Sequence, residues 1–123
     1  MSRKKVLLVD DEDDIREVAA LTLETMAEIE VITAADGAEG LLKAREHRPD
    51  VILLDVMMPG MDGLSTFQQL QESELTRAIP VIFMTAKIQS ADRSRLTALG
   101  ARGIIAKPFN PMTLAEELMA LLG

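Results

Sequence analysis

The sequence predicts an α/β protein built on a doubly wound, five-stranded parallel sheet. Five short apolar runs alternate along the chain with five amphipathic stretches that carry helix start and stop signals. Most of the runs are continuously apolar, which is typical of strands covered on both faces. Because alternating strands and helices form parallel sheets through right-handed crossovers, we expect five helices distributed over both faces. The 123 residues are close to the commonest size of one domain, so we expect a single domain over residues 1–123.

The first three helices are predicted from spacing and capping signals. The five expected strands are the apolar runs at 6–9, 31–32, 51–54, 81–84 and 104–105. The first helix places one face toward the core: Ile15, Val18, Ala19, Thr22, Leu23 and Met26. The second opens at 36–39 with the spacing of a capping box. The third has Leu64, Phe67 and Leu70 at helical spacing, and Asp62 is its candidate cap.

The last two helices differ in character. The fourth, at about 91–99, is short and polar and ends at Gly100, since glycine readily adopts the left-handed conformation that closes many helices. The fifth starts at Asn110-Pro111, a capping residue followed by a proline in the first turn. Phe109 and Leu114 are placed to form a hydrophobic staple there. The buried stripe of this helix consists of Leu114, Leu118, Leu121 and Leu122.

Charge and composition exclude several function classes. The formal net charge is -7, which argues against direct nucleic-acid binding because that needs a basic surface. The chain has no cysteine, so disulfides and thiolate metal sites are excluded. The basic start is followed by only a short apolar run, and no stretch approaches the ~20 apolar residues of a membrane helix. We therefore expect a cytoplasmic protein with no membrane insertion.

Charged and hydroxyl side chains end four of the apolar runs. Asp10 and Asp11 follow the first run, Asp55 the third, Thr85 the fourth and Lys107 the fifth. Because sites in open parallel sheets form beyond the carboxyl ends of strands, we expect these side chains to meet in one cleft. Two carboxylates ~4 Å apart repel by about 4 kcal/mol at an effective dielectric constant of about 20, so three together require a cation. A hard, oxygen-preferring ion such as Mg²⁺ meets that need.

Each of these residues also has a purely structural interpretation. Asp11 or Asp62 taken alone could cap a helix, and the acidic run 10–14 could be a solvated helix start favoured by the helix dipole. Thr85 alone could be a capping or core-edge residue, and Lys107 could be a surface lysine. Their joint occurrence, each at the end of an apolar run, favours a functional site.

Five motifs in order resemble the receiver domain of two-component response regulators, of the single-domain, chemotaxis-regulator-like kind. They are LLVDDEDDIRE (7–17), DVMMPGMDG (55–63), VIFMTA (81–86), LGA (99–101) and IIAKPF (104–109). Each motif alone is weak, whereas all five at this spacing are highly specific and span essentially the whole chain. The resemblance implies a flavodoxin-like fold with strand order 2-1-3-4-5.

The resemblance also implies which residues bind metal and accept phosphate. Asp55 matches the aspartate that accepts a phosphoryl group from a sensor histidine kinase or a histidine phosphotransfer protein. Asp10 and Asp11 match the acidic pair that holds Mg²⁺ (or Mn²⁺) together with Asp55. Met57 matches the position whose backbone carbonyl also binds the metal. The expected protein is a phosphoprotein that catalyses its own phosphorylation and dephosphorylation and turns over no external substrate.

The other matched residues imply a switch. Thr85 matches the hydroxyl residue that hydrogen-bonds the phosphoryl group, Lys107 the lysine that pairs with it, and Pro108 a proline held in a cis bond. Movement of Thr85 toward the phosphoryl group would shift the surface made of the fourth helix, fifth strand and fifth helix. That surface would bind a downstream protein target, with the chain acting as a monomer or as a weak, phosphorylation-dependent dimer.

The chain departs from the family pattern at positions near the predicted switch. Ile104 stands where many members carry an aromatic residue, and Arg102-Gly103 replaces a common acidic pair. Gly103 is expected to weaken the start of the fifth strand. Met57 and Lys87 occupy positions that tune phosphoryl loss in the family, and a bulky Met57 would shield the site from water.

Other function classes fit the sequence less well. A phosphorylation-independent adapter of the same fold would not need all five site residues. A metal-dependent phosphatase would place a second aspartate where Met57 stands, and methionine cannot transfer a proton. A dinucleotide-binding domain would need a glycine-rich turn where Asp10-Asp11-Glu12 stands. The sequence leaves three alternatives open for this domain: docking to a protein, relaying phosphate, or being a fragment of a longer regulator.

Overall fold

Five strands and five helices alternate in the computed structural model, which describes residues 4–25, 29–56, 62–85 and 90–122, without the side chains of 90–93. The strands are β1 (Lys4–Val9), β2 (Ile29–Ala34), β3 (Val51–Asp55), β4 (Val81–Thr85) and β5 (Gly103–Ala106). The helices are α1 (Asp13–Glu24), α2 (Gly37–His47), α3 (Gly63–Glu72), α4 (Ser90–Ala98) and α5 (Leu114–Leu122). The predicted alternation is confirmed.

The strands form a single parallel sheet in the order β2-β1-β3-β4-β5, as expected. Its register brings the carboxyl ends of four strands to the same edge. Val9 pairs with Leu54, Asp55 pairs with Met84, and Thr85 pairs with Ala106. The residues that end β1, β3, β4 and β5 therefore lie side by side.

The core consists of two apolar layers, one on each face of the sheet. Alternate residues of β1 and β3 point to opposite faces, which explains why these runs are continuously apolar. On one face α2, α3 and α4 cover Leu7, Val9, Ile52, Leu54 and Phe83, and the Phe67 ring meets Phe83 edge-on with centroids 5.3 Å apart. On the other face α1 and α5 cover a second cluster, which includes Val6, Leu8, Leu53, Ile82 and Met84.

The predicted caps of α2, α3 and α4 are confirmed. Asp36 accepts a hydrogen bond from the Glu39 N–H at 2.8 Å, and Glu39 in turn accepts one from the Ala35 N–H. Asp62 accepts a hydrogen bond from the Ser65 N–H at 2.8 Å at the start of α3. Gly100, with φ of 112°, follows the end of α4 in the left-handed region.

Two predictions about helix faces and boundaries differ from the structure. Val18 was predicted to face the core but is 45% exposed. Of the described residues of α1, only Ala19 and Leu23 are buried. The predicted face residue Met26 lies outside the described residues. The helix α5 begins at Leu114 rather than at Asn110. The Asn110 side chain accepts the Met112 N–H at 2.9 Å, which closes a separate turn before the helix.

Arg102 and Gly103 hold β5 against the end of α5. The Arg102 guanidinium donates to the carbonyls of Leu121 and Leu122 at 3.0 and 2.9 Å, carbonyls that the last turn of a helix cannot pair. A Cβ at Gly103 would lie 2.6 Å from Cδ2 of Leu121, so the glycine lets α5 approach closely. The structure thus supplies a packing reason for a glycine at the start of β5.

Within the described residues, no helix is long and apolar enough to cross a bilayer.

Gly63 lets α3 begin directly against the end of β3. A Cβ at this position would lie 2.2 Å from the Asp55 carbonyl oxygen and 2.8 Å from Cα of Val56. Both neighbours are backbone atoms, which cannot rotate away as a flexible side chain would. The Gly63 N–H donates to the Val56 carbonyl at 3.0 Å, which fixes this close approach.

We expect Gly63→Ala to lower the free energy of unfolding by about 3 kcal/mol, because the added methyl group must push α3 away from β3. Urea denaturation followed by circular dichroism measures the loss. Ser65→Ala, at an exposed position of the same helix, is the matched control and should stay within about 0.5 kcal/mol of wild type. Equal stability of the two variants would show that the contact with Asp55 does not constrain position 63.

Candidate functional site

Four chain segments meet at the carboxyl edge of the sheet. Asp10 follows β1, and its N–H donates to the Ala34 carbonyl at 3.1 Å, extending the pairing of β1 with β2. Asp55 is the last residue of β3 and Thr85 the last residue of β4. The Lys107 N–H donates to the Thr85 carbonyl at 2.9 Å. Backbone hydrogen bonds therefore place the segments that carry these side chains at one edge.

Three carboxylates converge at this edge. One carboxylate oxygen from each of Asp10, Asp11 and Asp55 lies within 4.8 Å of the other two. Asp10 is 0% and Asp55 2% exposed, whereas Asp11 is partly exposed. Burial of two neighbouring carboxylates is strongly unfavourable unless a cation or hydrogen-bond donors compensate.

Lys107 supplies part of that compensation. Its Nζ lies 2.6 Å from Oδ2 of Asp10, 3.2 Å from Oδ2 of Asp55 and 3.9 Å from Oε1 of Glu12. Burial alone lowers the pKa of this ammonium, but the contact with Asp10 and the charges of Asp10 and Asp55 outweigh it. The pKa of Lys107 is therefore raised above its ordinary value of 10.5. With a side chain only 9% exposed, Lys107 is not the surface lysine that the structural interpretation allowed.

The donor set fits a divalent cation. Oδ1 of Asp10 accepts the Glu12 N–H at 2.9 Å, but the buried Oδ2 receives no well-directed hydrogen bond within the described residues, although the Lys107 ammonium is close. Three carboxylates and one ammonium leave a formal charge of -2 in the cluster. Carboxylate oxygens with spare acceptor capacity and a twofold negative excess suit Mg²⁺. Asp10, Asp11 and Asp55 are the residues that would hold the ion.

The structure supports the helix-capping interpretation for Asp62 but not for Asp11. Asp62 caps α3, as described above. Asp11 does not cap α1, because the residue before the first helical turn is Glu12, whose side chain makes no capping hydrogen bond. The carboxylate of Asp11 makes no hydrogen bond or ion pair with any described residue.

Arg16 contacts the backbone of the predicted metal ligand Asp10, and sequence reasoning did not single it out. Its Nη1 donates to the backbone carbonyl of Asp10 at 2.6 Å, and its Nη2 pairs with the carboxylate of Asp13. The available signal was an arginine two residues after a run of five acidic residues, 10–14, and one helical turn beyond Asp13.

The structure also places the remaining predicted site residues as far as it describes them. Thr85 is buried at the end of β4. The Lys107–Pro108 peptide bond is cis, as predicted. Ile104 is partly buried and packs against the core cluster that contains Leu96 of α4. The predicted carbonyl ligand Met57 and the neighbouring Lys87 lie outside the described residues.

Comparison with known proteins decides the family. A family model described as the response regulator receiver domain matches residues 6–119. The chain belongs to this family. Among solved structures, the receiver fold of this chain superimposes on Vibrio cholerae chemotaxis response regulator CheY4 with a TM-score of 0.90, 38% identity and coverage of 98% of this chain and 99% of that chain.

Curated relatives of this receiver domain are transcriptional regulators. The chain is 40% identical to the Bacillus subtilis alkaline phosphatase synthesis transcriptional regulatory protein PhoP, over 97% of this chain and 48% of the relative. It is 39% identical to the Pseudomonas aeruginosa phosphate regulon transcriptional regulatory protein PhoB, over 99% of this chain and 53% of the relative. The receiver domain thus spans about half the length of these relatives.

The raised pKa of Lys107 predicts how stability depends on alkaline pH. Because the folded protein holds this proton more tightly than the unfolded chain, the stabilisation is complete below pH 10.5 and is lost as the pH rises through the raised pKa. We expect the difference in unfolding free energy between wild type and Lys107→Met to shrink above pH 10.5, measured by urea denaturation in the presence of EDTA.

Lys4→Met, which removes an exposed lysine, controls for general alkaline destabilisation. Its difference from wild type should show no comparable change. A Lys107→Met difference that stayed constant through this range would mean that the ammonium gains nothing from Asp10 and Asp55.

Proposed function

We propose that this receiver domain accepts a phosphoryl group on Asp55 from a sensor histidine kinase or a histidine phosphotransfer protein, and that Mg²⁺ bound by Asp10, Asp11 and Asp55 is required. The observation that carries this proposal is the buried Asp55 carboxylate, which lies beside two further carboxylates and 3.2 Å from the Lys107 ammonium. An ammonium and a bound cation both stabilise the negative charge that a carboxylate nucleophile must carry, and both place positive charge beside the attacked phosphorus.

The residues of the chain divide the work of phosphoryl transfer. An oxygen of Asp55 forms the new bond to phosphorus as the bond from phosphorus to the donor nitrogen or oxygen breaks. Lys107, already in contact with Asp55, pairs with an oxygen of the transferred group, and the Thr85 hydroxyl donates a hydrogen bond to another. Bound Mg²⁺ would neutralise part of the negative charge on the phosphoryl oxygens. The product is an acyl phosphate, which water hydrolyses. Because the only group that the protein modifies is its own Asp55 carboxylate, we expect no turnover of an external substrate.

The switching surface is proposed to be α4, β5 and α5. Of the α4 side chains that the structure describes, 94–98, only Leu96 is buried, and Leu99 just beyond the helix is 51% exposed. A helix with so few apolar contacts is displaced at low cost. The hydrogen bond from Lys107 to the Thr85 carbonyl joins β4 to β5, so a shift at Thr85 reaches β5 directly. Ile104 takes the place of the aromatic residue of many relatives in this path.

The proposed partners are proteins. A kinase or phosphotransfer protein supplies the phosphoryl group, and a downstream protein target reads the α4-β5-α5 surface of a monomer or a weak, phosphorylation-dependent dimer. The net charge of -7 disfavours direct contact with nucleic acid by this domain. PhoP and PhoB are transcriptional regulators about twice as long as this chain, so that activity is not carried over here.

Incubation with acetyl phosphate and Mg²⁺ tests the acceptor. We expect intact mass spectrometry to show a single added phosphoryl group on wild type and none on Asp55→Asn, because the amide is not a nucleophile. Asp14→Asn, at an exposed position of α1, should be phosphorylated as wild type is. Failure of wild type with acetyl phosphate and also with histidine kinases or phosphotransfer proteins would favour the phosphorylation-independent adapter.

Thr85→Val tests the switch, since valine keeps the branched shape and lacks the hydroxyl. We expect this variant to be phosphorylated on Asp55, while the change in amide exchange over 94–109 that beryllofluoride and Mg²⁺ produce in wild type is lost. Thr85→Ser should restore it. An unaltered exchange response in the valine variant would show that the Thr85 hydroxyl does not trigger the change.

A further inference from the structure

We propose that Arg16 is a positioning residue of the metal site: its guanidinium holds the loop that carries Asp10 and Asp11 in the conformation that binds Mg²⁺. This inference rests on the proposed function, because it assumes that these two carboxylates and Asp55 bind the ion. Arg16 itself offers no ligand atom and acts through the backbone of the loop.

The guanidinium brackets the loop from both ends. Nη1 donates to the Asp10 carbonyl at 2.6 Å, at the point where the chain leaves β1. Nη2 pairs with the carboxylate of Asp13, the first residue of α1. The backbone N–H of Arg16 donates to the Glu12 carbonyl at 3.1 Å, so the arginine is itself anchored in the first turn of the helix. One side chain thereby sets the distance between the strand end and the helix start.

Asp11 is the ligand that depends most on this bracket. Asp10 is held independently, since its N–H pairs with Ala34, its Oδ1 accepts the Glu12 N–H, and its Oδ2 contacts Lys107. The Asp11 carboxylate has no hydrogen bond or ion pair with any described residue, so the backbone on either side of it determines where it lies. Fixing that backbone before the ion arrives reduces the entropy lost on binding.

Arg16 also adds positive charge without occupying the carboxylate oxygens of the cluster. Lys107 contacts oxygens of Asp10 and Asp55, whereas Arg16 contacts a carbonyl and the carboxylate of Asp13, which is not part of the cluster. If Arg16 acted through charge alone, it would repel Mg²⁺, and its removal would strengthen metal binding. If it acts by positioning, its removal weakens metal binding. The two explanations therefore predict opposite changes in Mg²⁺ affinity.

Arginine suits this role because its planar guanidinium presents two donor ends at a fixed spacing. A lysine at the same position keeps the charge, but its single ammonium cannot reproduce the forked contact with both Asp10 and Asp13. Arg16→Lys therefore separates geometry from charge.

The test is the Mg²⁺ dissociation constant, measured by isothermal titration calorimetry on the full chain without any phosphoryl donor. We expect Arg16→Lys and Arg16→Gln to weaken Mg²⁺ binding about tenfold, as loss of an outer contact to metal ligands typically does. Arg45→Lys, at an exposed position of α2, is the matched control and should bind as wild type does. Amide exchange of 10–13 in metal-free protein should be faster in the Arg16 variants than in wild type.

A second pair of variants keeps the arginine and guards against misfolding of the first. Asp13→Asn and Asp14→Asn each remove one negative charge near the site, but only Asp13 contacts Arg16. We expect Asp13→Asn to weaken Mg²⁺ binding more than Asp14→Asn does.

The outcomes separate the inference from the proposed function. Unchanged affinity in Arg16→Lys, or tighter binding in Arg16→Gln, would overturn the positioning role while leaving the metal site intact. Equal effects of Asp13→Asn and Asp14→Asn would also count against it. Absence of Mg²⁺ binding by wild type would overturn the inference and the proposed metal requirement together.

Discussion

The contact of the Lys107 ammonium with the buried carboxylates of Asp10 and Asp55 is the interaction on which the carboxyl edge of the sheet depends. At separations of ~4 Å, two such carboxylates repel by about 4 kcal/mol at an effective dielectric constant of about 20. One ammonium offsets only part of the charge, because Asp11 brings the cluster to a formal charge of -2. The cluster therefore folds with a negative excess that a divalent cation can remove.

The apolar strands of the parallel sheet help to offset the repulsion between these charges. Asp10 and Asp55 each follow four fully buried apolar residues, 6–9 and 51–54. Burial of one Val, Leu or Ile side chain stabilises by about 1.5–3 kcal/mol relative to exposure, which is comparable with the repulsion of about 4 kcal/mol between two carboxylates. The close approach of α3 at Gly63 then fixes the backbone of Asp55 from the other side.

The elements around the site differ in how firmly they are held. The start of α1 is tied to β1 through Arg16, and the end of α5 is tied to β5 through Arg102 and Gly103. By contrast, Leu96 is the only buried side chain among those of α4 that the structure describes, 94–98. Under the proposed function, a charge change at Asp55 would act on a firmly held loop on one side and on a helix with few buried side chains on the other. This asymmetry is what a switch requires, because the binding geometry must persist while another surface moves.

Sequence alone determined the strand order, through family resemblance, and the alternation of elements, through hydrophobic patterning. It also predicted that Asp10, Asp11, Asp55, Thr85 and Lys107 lie at one edge of the sheet, because strand ends in a parallel sheet share that edge whatever the side-chain packing. Local capping signals predicted the starts of α2 and α3 for a different reason: each capping side chain bonds a backbone N–H only three residues away.

Only the tertiary structure decided which residues meet across long sequence separations. The exposure of Val18, the packing of Leu121 on Gly103 and the fit of Gly63 against Asp55 depend on how helices sit on the sheet. The contact of Arg16 with the Asp10 carbonyl depends on the path of the loop between them. Residue types and periodicity specify which face of an element is buried, but not which atoms of a neighbouring element will occupy the space beside it.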